Sequence, residues 1–175
     1  MIMTDNELLD LAVRLVGLAA VEILDVQRAG FTVDAKADES PVTLADMRAE
    51  RVITAGLRAA APNIPVIAEE EVAAGKITSP GEEFWLVDPL DGTREFAAGR
   101  PEFAVNIALV RNGRVALGAV ASPATDEIFY GIPGLGAFKK PPPASPKSTP
   151  AKRPKKGSPS WPPATTRTTP NSPPS

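Results

Sequence analysis

The sequence predicts an α+β fold with a largely antiparallel sheet, and three observations support this prediction. Two long segments, residues 4–29 and 44–60, space their apolar side chains as amphipathic helices do. Short apolar runs typical of strands follow from about residue 64 onward. Only turns and short loops separate the last of these runs, which favours neighbouring antiparallel strands over a doubly wound parallel sheet.

The first helix is predicted over residues 4–29. Thr4 and Glu7 have the spacing of a capping box, in which the two side chains satisfy the first free N–H groups of a helix. Gly30 stands at the position where glycine commonly ends a helix. The apolar stripe of this helix comprises Leu8, Leu11, Leu15 and Leu18.

The next segment, residues 31–44, alternates weakly between apolar and polar side chains and contains turn-forming residues, so a short hairpin is expected there. A second helix is then predicted from Leu44 to Ala60. Pro62 ends it, because proline cannot continue the hydrogen bonding of a helix.

Two short strands and a meander are predicted after this helix. The run "IPVIAEEE" indicates a buried strand leading into three carboxylates, and "FWLVD" indicates the next strand, with a Gly-, Ser- and Pro-rich loop between them. Asn112-Gly113 lies between the apolar runs "AVNIALV" and "RVALGAV", a strong hairpin signal. A last strand, "EIFYGI", follows a loop that contains proline.

The charge of the chain changes sharply near residue 139. Residues 1–138 carry 11 Lys and Arg against 21 Asp and Glu, a net −10, whereas residues 139–175 carry eight basic residues and no acidic one. Twelve of the last 37 residues are proline. Such a segment has too little apolar surface to offset its ordering entropy. We therefore expect a metal-binding domain over 1–138 and a disordered Pro-, Ser-, Thr- and Lys-rich tail over 139–175.

The composition excludes several kinds of chemistry. The chain has no Cys and no His, so disulfides, thiolate or imidazole zinc sites and a Ser-His-Asp triad are ruled out. Catalysis, if present, must use carboxylates, hydroxyls and backbone groups. The first residues show no basic segment followed by an apolar one and no apolar run long enough to span a bilayer. We therefore expect a cytoplasmic protein without a transmembrane segment. Peripheral attachment to the inner membrane is compatible with this expectation.

Carboxylates recur at the ends of the predicted elements: Asp46 at a helix start, Glu69 and Glu70 after one strand, and Asp88 and Asp91 after the next. Gathering them raises their pKa values and is unfavourable unless a cation is present. Mg²⁺ prefers oxygen ligands and keeps several waters, so such a set suits Mg²⁺ better than zinc or copper. The sequence therefore predicts a magnesium site.

The stretch "DPLDGT", residues 88–93, has the composition that this role requires. Pro89 fixes φ, so that Asp88 and Asp91 can lie on the same side of a tight turn with the Leu90 carbonyl between them. If Thr93 begins a short helix, the backbone N–H groups of Gly92 and Thr93 lie at its positive end, where a phosphate is favoured.

Each of these features also has a plainer interpretation. Asp-Pro-x-Asp-Gly alone is often an ordinary turn, and Thr43-x-x-Asp46 is the spacing of a helix capping box. Three consecutive glutamates usually lie on a solvated surface. Only the combination of the three, each at the end of an element, favours a metal site.

The motifs "SPVTLAD", "IAEEEVAAG" and "WLVDPLDGTREFAAGRPEFAVNIALV" together resemble the inositol monophosphatase superfamily of Mg²⁺-dependent, lithium-sensitive phosphatases. The continuation "TREF" and the later "EFAVNIAL" resemble in particular its 3′(2′),5′-bisphosphate nucleotidase branch, which recycles 3′-phosphoadenosine 5′-phosphate from sulfate assimilation. The resemblance covers residues 5–138. It implies the N-terminal part of a layered αβ sugar-phosphatase-like fold and a site holding two or three Mg²⁺ ions.

The resemblance also implies roles for individual residues. Glu69, Asp88 and the Leu90 carbonyl would bind one metal, and Asp88 and Asp91 would share a second. Asp46 and Thr93 would form a hydrogen-bonded pair that deprotonates the attacking water, with Glu69 or Glu70 nearby. The residues expected to contact the substrate are Glu69, Leu90, Asp91, Gly92 and Thr93.

This sequence departs from the family pattern after "GLGAF", where a second α/β region with a further metal-binding Asp is expected. The change of composition there indicates an aberrant C-terminus or a genuine tail. Four functions stay open: an impaired bisphosphate nucleotidase, an inositol-1-monophosphatase-type enzyme, a non-catalytic metal-binding fragment, and a basic tail that binds nucleic acid or a proline-recognition domain. The first is preferred, with a small phosphorylated substrate, no nucleic-acid partner and a homodimer as one possible assembly.

Overall fold

The first layer of the fold consists of two long helices. The computed structural model describes residues 3–29, 41–76 and 78–140. Helix α1 spans Asp5–Ala29 and helix α2 spans Pro41–Ala60. Gly30, expected to end α1, lies outside the described residues.

Helix α1 begins with the predicted capping box. The Thr4 N–H and hydroxyl donate to Glu7 Oε2 at 2.7 and 2.8 Å, and the Glu7 N–H lies 3.4 Å from Thr4 Oγ1. These bonds satisfy donors that the first helical turn leaves free. Leu8, Leu11 and Leu15 are buried as expected, whereas Leu18 is 49% exposed.

Helix α2 begins at Pro41, three residues before the predicted start at Leu44. Proline is favoured in the first turn of a helix, because its missing N–H has no partner there in any case and its φ is already helical. The hairpin expected before Leu44 is therefore wrong for residues 41–43. The rest of it, residues 31–40, lies outside the described part of the chain.

The second layer is a six-stranded sheet in the order β1-β2-β3-β4-β5-β6. β1 and β2 pair in parallel, and every other neighbouring pair is antiparallel. The strands are β1 Val66–Ala68, β2 Glu83–Asp91, β3 Ala104–Arg111, β4 Arg114–Ser122, β5 Glu127–Ile132 and β6 Gly136–Lys140. Short helices α3 Glu69–Ala73 and α4 Thr93–Ala97 follow β1 and β2, and a 3-10 turn spans Pro123–Thr125. This arrangement confirms the predicted α+β class.

The core lies between the two layers. α1 packs across β3, β4 and β5, while α2 packs on β1, β2 and α1. Alternate side chains of the central strands face the helices, as expected for a half-covered antiparallel sheet. Trp85 on β2 and Ile107 on β3 are among the largest fully buried side chains. None of the described helices is long and apolar enough to cross a membrane.

Strand β6 was not predicted, and it includes two residues that the sequence had assigned to the tail. Lys139 and Lys140 belong to this strand rather than to the predicted tail. Lys139 pairs in register with Phe129, forms an ion pair with Glu127, and places its ammonium 5.4 Å from the Phe129 ring centroid. Residues 141–175 lie outside the described residues.

Two valines of α1 provide a matched test of the core. Val16 is fully buried and Val21 is 52% exposed. We expect Val16→Ala to lower the free energy of unfolding by about 2 kcal/mol, because it removes buried methyl groups and leaves a cavity. Val21→Ala should change it by less than about 0.5 kcal/mol. Urea denaturation measures both, and equal effects would contradict this assignment of the buried face.

Candidate metal centre and active site

Glu69 and Asp88 lie side by side at one edge of the sheet. β1 and β2 run in parallel, and Ala68 of β1 lies opposite Val87 of β2. The residues that follow this pair are Glu69 after Ala68 and Asp88 after Val87. Parallel strands end at the same edge of a sheet. The pairing therefore brings together two carboxylates that are 19 positions apart in the sequence.

A β-bulge places Asp88 and Asp91 on one face of the sheet. Asp88 pairs with Asn106 and Asp91 pairs with Ala104, so two residues of β2 oppose only Val105 on β3. Asn106 and Ala104 are two residues apart on β3, so their side chains point to the same face of the sheet. Because of the extra residue in β2, their partners Asp88 and Asp91 also point to that face. The sequence predicted an isolated tight turn here. The structure instead continues the strand through a bulge, a position where proline is tolerated.

Asp46 joins the cluster from helix α2. Its side chain is buried, and its pKa is raised to about 7, chiefly by this burial. The charges of Glu70, Glu69, Asp88 and Glu50 contribute the rest of this shift. Carboxylates from α2, α3 and β2 thus lie within electrostatic reach of one another, although they are far apart in sequence.

Asp88 is the carboxylate whose surroundings best fit a metal ligand. Its pKa is raised to about 6. Burial is the largest cause, the charges of Glu69 and Asp91 and a hydrogen bond with Glu69 also raise the pKa, and the Leu90 N–H lowers it. Asp88 Oδ1 is buried without a hydrogen-bond partner. A buried oxygen without a partner is costly in a folded protein and calls for an explanation such as a water or an ion.

The turn from β2 into α4 requires Gly92. Its φ is +88°, and a Cβ at this position would lie 2.7 Å from the Glu102 carbonyl oxygen. Helix α4 begins at Thr93, as predicted, and its buried Phe96 meets Phe103 edge to face at 5.4 Å between ring centroids. The start of α4 is therefore held against the chain that enters β3.

Thr93 is exposed, and the hydrogen bonds found among the described residues include none between Thr93 and Asp46. The expected catalytic pair stays a prediction. A cavity of about 360 Å³ opens next to Asp91 and Gly92, and Glu95 and Glu102 also line it. The acidic lining disfavours an anion there unless a cation accompanies it.

One functional candidate was missed in the sequence. Glu50 is buried on α2 and accepts hydrogen bonds from the backbone N–H groups of Glu70 at 2.7 Å and Glu71 at 3.1 Å. Burial raises its pKa, and these two N–H groups oppose the shift. The available signal was its position four residues after Asp46, which puts both acids on the same face of the helix.

The cluster fits a hard divalent cation in its chemistry. Glu69, Asp88 and Asp91 supply oxygen donors, Asp88 Oδ1 lacks a partner, and the pKa of Asp88 is raised by neighbouring negative charge. Within the described ranges, no three acidic side chains already converge on one point that could hold a metal ion. Mg²⁺ commonly uses one or two protein carboxylates and completes its shell with waters, so the carboxylate set remains suitable.

The fold and the site together define a layered α+β domain with an acidic cluster at the edge where its two parallel strands end. A family model described as the inositol monophosphatase family matches residues 5–170. The chain belongs to that family. The match reaches beyond the range 5–138 on which the motif resemblance rested, and its last part lies outside the described residues.

Several relatives share this domain. The chain is 46% identical over 99 residues to the 3′(2′),5′-bisphosphate nucleotidase CysQ of Salmonella typhimurium, an alignment covering 57% of this chain and 40% of that protein. CysQ from Bacteroides thetaiotaomicron has a similar structure, with 34% identity, a TM-score of 0.62 and coverage of 74% of this chain and 47% of that one. An inositol monophosphatase from Zymomonas mobilis matches with 34% identity and a TM-score of 0.66, covering 85% and 56%. The chain thus spans about half the length of these relatives.

The raised pKa values predict how stability depends on pH. Folded Asp46 and Asp88 have pKa values of about 7 and about 6, above the ordinary value of 3.8. The folded protein therefore keeps protons that the unfolded chain releases, and its stability is lost progressively as the pH rises from about 4 to about 7. We expect the thermal midpoint of the metal-free protein to fall across this range.

Asp46→Asn provides the control, because it removes the group with the larger shift. The fall in thermal midpoint between pH 4 and pH 7 should become smaller in this variant. A midpoint that rises across the same range in the wild-type protein, or a fall that Asp46→Asn leaves unchanged, would contradict the assignment of these pKa shifts.

Proposed function

We propose that this chain carries the metal-binding half of a Mg²⁺-dependent phosphomonoesterase site acting on a small phosphorylated substrate. The adjacency of Glu69 and Asp88, with the partnerless buried Oδ1 of Asp88, is the observation that carries this proposal. A cluster of like charges is unfavourable unless a cation offsets it, and carboxylate oxygens are the ligands that Mg²⁺ prefers.

In this proposal Glu69, Asp88, Asp91 and the Leu90 carbonyl hold the ion or ions. When bound, Mg²⁺ supplies positive charge that polarises the phosphate and lowers the pKa of a nearby water. The Gly92 and Thr93 backbone amides contact the phosphate where α4 begins. The cavity beside Asp91 and Gly92 supplies room for it.

Asp46 is the proposed proton acceptor, together with Thr93 and with Glu69 or Glu70 nearby. Its pKa is about 7 in the metal-free protein, and a cation bound nearby would lower it, so that the carboxylate is ionised and able to accept a proton. The chain has no His, and this arrangement needs none.

The first candidate substrate is 3′-phosphoadenosine 5′-phosphate, which would lose its 3′-phosphate. The supporting observations are the "DPLDGTREF" continuation and the identity with proteins named 3′(2′),5′-bisphosphate nucleotidase. An inositol monophosphate is the second candidate, favoured by the structural similarity to the Zymomonas mobilis inositol monophosphatase.

Two substitutions test the metal assignment. Asp88→Asn and Asp91→Asn should each weaken Mg²⁺ or Mn²⁺ binding by at least about 10-fold, because a neutral amide oxygen offsets the charge of the ion less than a carboxylate does. Isothermal titration calorimetry measures the affinity. Asp10→Asn, on the exposed surface of α1, is the matched control and should bind like the wild-type protein. Unchanged affinity in both site variants would contradict the metal assignment and favour the plainer interpretation, in which residues 88–91 form a turn without a metal-binding role.

Turnover tests the activity itself. We expect phosphate release from 3′-phosphoadenosine 5′-phosphate to require Mg²⁺ and to be far slower than in a full-length relative, because positioning and electrostatic contacts each contribute orders of magnitude in rate. Joining the chain to the second half of a relative should raise the rate and make it sensitive to lithium.

Three results would change this proposal. Equal rates with and without a chelator would contradict metal dependence. Preference for inositol 1-phosphate would favour the second substrate. A rate equal to that of the extended protein would show that the second half is not required.

A further inference from the structure

Helix α3 carries Glu69 and Glu70, yet it lacks both buried side chains and a capping side chain at its N-terminus. It is five residues long, and none of its residues is buried. Its N-cap residue, Ala68, has no side chain that could satisfy the first N–H groups. Isolated helices of this length are unstable in water, so the position of α3 must be set by contacts with other elements.

Glu50 on α2 supplies the missing cap. Its Oε2 accepts from the Glu70 N–H at 2.7 Å, and its Oε1 accepts from the Glu71 N–H at 3.1 Å. The side chain is only 6% exposed. Both oxygens of one buried carboxylate are thus used to fix the backbone of the two residues that follow Glu69.

A second contact holds the same short helix to α2. Both Arg58 terminal nitrogens donate to the Glu71 carboxylate, at 2.8 and 2.6 Å. Glu50 and Arg58 are eight residues apart, which places them two turns apart on one side of α2. Asp46 lies one turn before Glu50 on that side. Helix α2 therefore carries Asp46 itself and holds α3 through the Glu70 and Glu71 amides and the Glu71 carboxylate.

Glu50 caps α3 with a charged group that lies among other acids. A buried carboxylate is unfavourable among other acids, and Glu70 and Glu71 both raise the pKa of Glu50 through their charges. A neutral cap would satisfy a free N–H without adding negative charge. The Glu50 carboxylate instead offers two acceptor oxygens, which share one negative charge, to two successive amides of α3.

We propose that Glu50 is a positioning residue for the metal centre. It holds the backbone at Glu70 and Glu71 so that Glu69 stays beside Asp88, and it acts without contacting the ion or the substrate. This inference rests on the proposed function, because it assumes that Glu69 and Asp88 bind a divalent cation.

Glu50→Gln tests the proposal with almost no change of shape. Glutamine keeps one acceptor oxygen but turns an NH₂ group toward the second amide. We expect Mg²⁺ or Mn²⁺ affinity, measured by calorimetry, to fall by about 10–100-fold, as is typical when a residue supporting a metal ligand is changed. Hydrogen exchange at the Glu70 and Glu71 amides should accelerate. Glu82→Gln, the same substitution at an exposed position before β2, should leave affinity and exchange unchanged.

The outcomes separate this inference from the proposed function. A wild-type protein that binds neither ion would overturn both. A wild-type protein that binds while Glu50→Gln binds equally well, with faster exchange at the two amides, would show that the cap is structural only. Should Glu50→Gln fail to fold, Glu50→Asp keeps the charge but cannot reach both amides, and the same loss of affinity is expected for it.

Discussion

The parallel pairing of β1 with β2 is the constraint on which the site depends. All other neighbouring strands are antiparallel, so their successive ends alternate between the two edges of the sheet. β1 and β2 are the one neighbouring pair in the described sheet whose C-terminal ends lie side by side, and this puts Glu69 next to Asp88. The bulge that follows then turns Asp91 to the same face as Asp88. These features produce a concentration of negative charge that the rest of this edge must accommodate.

The carboxylates near this end of the sheet fall into two groups: one has basic partners and a lowered pKa, and the other has acidic neighbours and raised pKa values. Glu71 is neutralised by Arg58 and Lys76, and the hydrogen bonds from Arg58 chiefly lower its pKa to about 2. Asp46 and Asp88 have raised pKa values, because burial and other acids surround them. A purely structural acidic cluster would be stabilised by basic partners throughout. The contrast within one small region is the pattern expected when some carboxylates hold the fold and others are kept for an ion.

Much of the fold could be predicted from local sequence. Thr4 and Glu7 mark the start of α1, and Asn112-Gly113 marks the β3–β4 hairpin, because both depend on chemistry between residues that are close in the chain. The start of α2 at Pro41 was missed, since the turn-forming residues before it favour a hairpin equally well. Strand β6 was missed because none of its residues is buried, so that its side chains carry no alternating pattern.

In the site, as in the fold, features that depend on nearby residues could be predicted, and features that depend on distant contacts could not. The carboxylates at element ends could be predicted because like charges near turn residues are visible in the sequence. The β-bulge could not, since its register depends on which residue of β3 lies opposite Asp88. Glu50 was missed for a related reason: its partners are backbone N–H groups some twenty positions away. A single sequence does not show contacts between a side chain and a distant backbone, so the spacing of Glu50 from Asp46 on α2 was its only available signal.

The central claim is that a divalent cation binds between Glu69 and Asp88. Anomalous diffraction from crystals of the protein grown with Mn²⁺ tests it most directly, since it locates the ion without relying on turnover. We expect a peak in the anomalous difference map within about 2.0–2.3 Å of Asp88 Oδ1 and a Glu69 carboxylate oxygen, slightly longer than the distances that Mg²⁺ adopts. A map with no peak at this edge of the sheet at saturating Mn²⁺, or with its main peak elsewhere, would contradict the account.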